Sequence, residues 1–188
     1  IRCNDWVLQV RLCAEDALRQ IVAADPAALF AHIDLLFALR ARLRMQSGVW
    51  RTVIDPLLLA PAHAAARWAA LDGSRHPLFV CELILRADPA QAETLALRTV
   101  QHRDPVVARW GLRELLHISG LSVGDDLIAY ALRHPSASVR AHSLRARART
   151  DDDGYRALLR TSLLDPSASV RSVAAYATRA LGLDPRDT

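Results

Sequence analysis

DPSASVRSVAAYATRALG, residues 165–182, is the third appearance of one segment in this chain. HPSASVRAHSLRA starts 31 residues earlier at His134, and DPVVARWGLRELL starts at Asp104. Arg109, Arg140 and Arg171 are spaced by 31 residues. So are Leu112, Ser143 and Ala174, and so are Leu115, Ala146 and Ala177. A fixed period of this length marks stacked supersecondary units. Each copy places proline where a new helix must begin: proline blocks continuation of the preceding helix and fits a first turn, where its missing N–H is not needed. The mostly small residues three and six positions after each arginine let neighbouring helices approach closely.

Upstream, the same punctuation continues. Asp25-Pro26 opens an amphipathic stretch with Leu29, Phe30, Ile33, Leu36 and Phe37 at helical spacing, ended by Gly48. Further helices are predicted at about 49–59, from Pro61 to Gly73, and from Pro77. Regular pairs then follow at 89–102 with 105–118, 123–133 with 135–149, and 152–163 with 167–182. Residues 1–24, with Trp6, Val7, Val10, Cys13 and Ile21 as apolar positions, are predicted helical but lie outside the repeat. No stretch reads as a strand.

Composition agrees with close-packed helices: 52% of the 188 residues are apolar, chiefly alanine and leucine, and only 5% are aromatic. No run approaches the roughly 18 apolar residues of a membrane span. All 24 basic residues are arginine, and the net charge is +4. This is a mild excess that permits an acidic partner without requiring one. The three cysteines (Cys3, Cys13, Cys81) are odd in number and show no CxxC pairing. They read as reduced thiols of a cytoplasmic protein.

The order Asp-Pro, a short gap, Val-Arg, alanines and Ala-Leu-Gly in residues 165–182 resembles the second helix of a HEAT repeat, of the short type also seen in phycobilin-lyase-like proteins. DDLIAYALRH (125–134) and YRALLRTSLL (155–164) resemble its first helix. The resemblance covers residues 120–182 well and extends back to about 89. It implies an all-α, HEAT-like α-solenoid of stacked antiparallel helix pairs over 1–188. Divergent pairs would occupy 1–88, regular repeats 89–182, and a tail 183–188. It also implies a ladder in which aspartate and arginine of successive repeats hydrogen-bond. Asp104, Asp165, Arg109, Arg140 and Arg171 match those positions. Three departures stand out: His134 replaces the usual aspartate, Ala108 replaces the valine before Arg109, and the Asp104–Arg109 gap is one residue shorter than in the other copies.

Catalytic signatures are missing. There is no phosphate-binding glycine loop, no GxSxG and no HExxH, and the seven histidines are scattered without metal-ligand spacing. Asp151-Asp152-Asp153 reads as negative charge at a helix start. The alternating arginines 145, 147 and 149, and the group 40, 42, 44 and 51, spread around their helices and read first as solvated faces. No catalytic residue, metal or cofactor is predicted.

A partner-binding groove is predicted instead. Positions one, five and eight after each repeat arginine lie on the helix side opposite the packed offsets. They form the columns Trp110/Ala141/Ser172, Glu114/Arg145/Tyr176 and His117/Ala148/Arg179. In the family resembled, that side lines the concave surface. The candidate residues are Trp110, Glu114, His117, Arg145, Arg149, Tyr176 and Arg179, because exposed aromatics and arginines make hot spots. The expected function is a non-catalytic scaffold, adaptor or inhibitor that holds another protein or peptide, with an acidic partner suited to the net charge. The alternative is a nucleic-acid binder of the kind seen among HEAT-like alkylpurine DNA glycosylases, although no groove column carries their aspartate. By analogy alone, the lyase-type repeats suggest a helper to a tetrapyrrole enzyme. No membrane partner is expected.

Overall fold

The computed structural model describes residues 7–40, 50–118, 125–147 and 153–183. Cys3, Trp6, Arg42, Arg44, Gly48, Ala148, Arg149, Asp151 and Asp152 lie outside the described residues. Among the described residues the protein is all-helical, with no strand, and no helix is long and apolar enough to cross a membrane. The chain divides into two compact units, residues 1–91 and 92–188.

The first unit holds α1 (Leu8–Ala24), α2 (Ala28–Ala31), α3 (Ile33–Arg40), α4 (Asp55–Leu59), α5 (Ala64–Gly73) and α6 (Pro77–Ala87). The stretch expected to run as one helix from Asp25 is interrupted: His32 leaves helical geometry at φ −116° and ψ 26°, between α2 and α3. The apolar spacing survives the break, since Leu29, Phe30, Ile33 and Leu36 are all buried. The segment expected as a helix at 49–59 is also irregular. Trp50–Ile54 forms a π-helical turn leading into α4. Pro56 donates no N–H and its ring crowds the carbonyl four residues back, which favours a widened turn there.

Polar clamps fix this unit. The buried Arg67 donates to the carbonyl oxygens of Leu58 and Ala60, both at 2.8 Å, at the end of α4, where the Ala60 carbonyl also accepts from the His63 N–H. Arg40 grips both carboxylate oxygens of Glu82 at 2.7 Å, linking α3 to α6. That hydrogen-bonded pairing holds Glu82 below the ordinary carboxyl range. Cys81 is buried and free, and burial pushes its thiol up to about 12. Its sulfur is therefore inert packing.

The second unit holds α7 (Ala92–Val100), α8 (Pro105–Ile118), α9 (Asp125–Leu132), α10 (Ala137–Arg147), α11 (Asp153–Leu163) and α12 (Ala168–Ala180). α7 packs on α8, α9 on α10, and α11 on α12, while α10 also packs on both α8 and α12. The repeat explains the seams. Leu112, Ser143 and Ala174, one period apart, are all completely or almost completely buried. Ser143 can occupy this dry position because its hydroxyl donates to the Val139 carbonyl at 2.9 Å.

All three copies start their second helix alike. An Oδ1 of Asp104 accepts from the Val106 N–H at 2.8 Å, and Asp165 Oδ1 accepts from Ser167 at 2.7 Å. His134 Nδ1 accepts from Ser136 at 3.0 Å and reproduces the aspartate's turn without its charge. That fixes the tautomer: Nε2 carries the hydrogen and faces the His102 carbonyl at 3.3 Å. α12 ends with Gly182 at φ +73°, where the N–H of Leu183 reaches the Thr178 carbonyl and that of Gly182 reaches Arg179. Glycine adopts this left-handed conformation without the Cβ penalty.

The repeat arginines diverge. Arg140 pairs with both carboxylate oxygens of Asp165 at 2.8 Å, and its third nitrogen donates to the carbonyls of His134 and Pro135. Arg171 donates to the carbonyls of Asp165 and Pro166. Arg109 is exposed and has no carboxylate or carbonyl partner among the described residues. The ladder expected from all three copies thus has one rung here, because His134 offers no acid and the shorter gap leaves Arg109 out of register.

Gly111 lets α8 approach the backbone of α7 closely. A Cβ there would lie 2.8 Å from the Ala96 carbonyl oxygen and 2.9 Å from the Val100 nitrogen, as well as against Thr99 Oγ1. Backbone atoms cannot step aside as a flexible side chain would. Gly111→Ala is expected to cost about 1–3 kcal/mol in urea unfolding. Gly73→Ala, which meets nothing within 4 Å, should change stability by less than about 0.5 kcal/mol. Equal losses at both positions would contradict the α7–α8 contact.

Candidate functional site

α12 presents Ser169, Ser172, Tyr176 and Ala180 at spacings of three and four residues, which puts them on one face. The small residues in that series leave room. A groove of about 760 Å³ opens there against α10. Its inner side is made by the buried Leu144, Tyr155, Val173 and Ala177, and its outer side by Arg145, Ser169, Ser172 and Tyr176. Tyr176 is 73% exposed, an aromatic side chain standing in water beside an apolar recess.

Of the candidate residues, Arg145 and Tyr176 therefore share one groove, joined by Ser172. Trp110 and Glu114 are half-buried on α8, and His117 and Arg179 are exposed. None of these four lines the groove. Arg149 lies outside the described residues. The column Trp110/Ala141/Ser172 does not share one environment, because Ala141 is buried in the core formed with α11 and α12. α10 has helices packed on both flanks, so more of its circumference is covered than repeat symmetry suggests.

One turn before Arg145, α10 carries a histidine. His142 on α10 is half-buried, and its Nε2 is buried with no hydrogen-bond partner. Burial, and then the positive charges of Arg109, Arg145 and Arg113, hold it below the ordinary histidine value. Two of those arginines come from α8 and one from α10, which packs against it. Glu114 is the acid at hand, accepting from its neighbour Arg113 at 3.2 Å. Reading the sequence assigned Arg109 to the ladder and left His142 among scattered histidines. The signal that could have separated Arg109 was present: the missing residue in its gap and the histidine at position 134.

Among the described residues no cluster of three metal-ligating side chains occurs. In comparisons with known proteins, no family model, curated protein or solved structure matches this chain.

The environment of His142 makes a pH prediction. Its folded value lies below the ordinary 6.5. Below pH 6.5 the unfolded chain therefore takes up a proton that the folded chain resists. Stability should be full above that pH and decline as pH falls through it, and His142→Gln should flatten the decline. By NMR titration, Arg109→Gln should raise the His142 value toward 6.5. An unchanged value would show that Arg109 does not face this ring.

Proposed function

We propose that this chain is a non-catalytic binding protein, a scaffold, adaptor or inhibitor. In this reading its helix pairs stack as a HEAT-like α-solenoid, and a protein or peptide segment lies across its second helices. The observation that carries the reading is the groove between α10 and α12. It is apolar inside and edged by Arg145 and the exposed Tyr176. A large aromatic and an arginine beside an apolar recess are the residue types that dominate protein–protein binding energy. Two supports come from the fold. The groove runs between helices whose packing fixes its walls, so little ordering is needed on binding. The 31-residue period also accounts for the serial packing of α8, α10 and α12 that a solenoid requires.

Selection of 12-residue peptides from a displayed random library on the immobilised chain supplies ligands for the test. Tyr176→Ala should weaken the selected peptides by about 2 kcal/mol or more, on the hot-spot scale, while the thermal midpoint stays unchanged. Peptides that bind Tyr176→Ala and a groove-filling Ser172→Trp variant as well as the parent chain would exclude this groove as the docking site.

A further inference from the structure

Arg109 and Arg113 stand one turn apart on α8, Arg145 stands on α10, and these two helices pack together with all three guanidinium groups exposed. Arg113 shares its charge with Glu114. Arg109 is exposed and released from the ladder, and Arg145 is exposed where α10 edges the groove. Among the described residues Glu114 is the one acid paired with any of the three, which leaves positive charge in excess on these adjacent helices. This excess has a structural origin. Arg140 and Arg171 both use their forks on carbonyls of their own repeat. Arg109 cannot, because its repeat is one residue shorter, and its counterpart to Asp165 in the next repeat is His134.

Mutual repulsion among the three cations, and their effect on the half-buried His142, are unfavourable in the free protein. A bound carboxylate would relieve both, and a guanidinium fork matches a carboxylate bidentately. Arg145 belongs to both features, so a ligand that touches the cluster continues directly into the groove.

We infer that this face takes an acidic peptide segment, with a carboxylate seated on Arg109, Arg113 and Arg145 and a neighbouring apolar side chain inserted beside Ser172 and Tyr176. The inference rests on the groove being a docking site, as proposed above. A peptide suits the face better than a nucleic acid. The inner wall of the recess is mainly leucine, valine and alanine, a surface that suits an apolar side chain of a peptide. Glu114 within the cluster also leaves room for one or two carboxylates while repelling a continuous row of phosphates.

The experiment uses the same 12-residue peptide library on the full chain, followed by affinity measurements on Arg109→Glu, Arg109→Gln and Ser172→Trp. These positions are exposed, and melting curves confirm that each variant folds. The expected peptides combine Asp or Glu with an aromatic or branched aliphatic residue. Their affinity should fall at least tenfold in Arg109→Glu, less in Arg109→Gln, and at least tenfold in Ser172→Trp. Peptides blocked by Ser172→Trp but free of acidic residues and indifferent to Arg109→Glu would overturn the acidic specificity while the groove stands. Peptides indifferent to Ser172→Trp would remove the groove reading and this inference together. A 20-nucleotide oligo(dT) that binds more tightly than the best peptide and is lost in Arg109→Glu would overturn the inference in favour of nucleic acid.

Discussion

The fork of Arg140 ties the second unit together. One side chain closes on both oxygens of Asp165, at the entry of α12, and on the two carbonyls that precede its own helix. Both partners are largely shielded, at 15% and 12% side-chain exposure. A charge pair so enclosed is screened less than a surface pair, yet every donor that faces inward finds an acceptor. The pair also sets register. Asp165 accepts from the Ser167 N–H while it holds Arg140, so the start of α12 is fixed to the body of α10. These bonds hold the Asp165 carboxyl below its ordinary range, the arginine contributing most. The groove lies between those same two helices.

The same motif, weakened once, supplies the other half of the proposed site. At the boundary between the first and second regular copies, His134 keeps the turn-forming acceptor of the aspartate but not its charge. The lost rung leaves α8 joined to α10 through apolar packing, with Ala108, Leu112 and Leu115 meeting Val139 in one core. Arg109 is then left in solvent. A repeat protein can change its surface in this way without changing its seams, because the packed positions and the ladder positions lie on different sides of each helix. A departure from the repeat is therefore as informative about function as the repeat itself.

Much of the helical layout was legible in the sequence. Proline and the 31-residue period placed α8 at its observed residues, and α10, α11 and α12 to within about two residues at each end. The signals were strong there because proline, the turn-forming side chain and apolar periodicity coincide. Upstream they do not coincide. The kink at His32 follows no glycine or proline, and the π-helical turn at Trp50–Ile54 comes just before Pro56 in the first turn of α4, where one continuous helix was expected. For the site, helix geometry was enough to put Arg145 and Tyr176 on an accessible face. It could not show that Ala141 is covered, since that depends on helices packed on both flanks of α10. Nor could it show that the charges acting on His142 come from two helices, which no local pattern encodes.

The most direct measurement is a double-mutant cycle on the Arg140–Asp165 pair, with Arg140→Ala, Asp165→Asn and the combined variant unfolded in urea at neutral pH. Asparagine retains an acceptor for the Ser167 N–H, and the cycle cancels the bonds Arg140 makes to carbonyls, which isolates the contact between α10 and α12. The account predicts a coupling of about 2 kcal/mol or more, above the roughly 0.2–1 kcal/mol of an exposed pair. A coupling below about 0.5 kcal/mol would contradict the claim that this fork holds successive helix pairs in register.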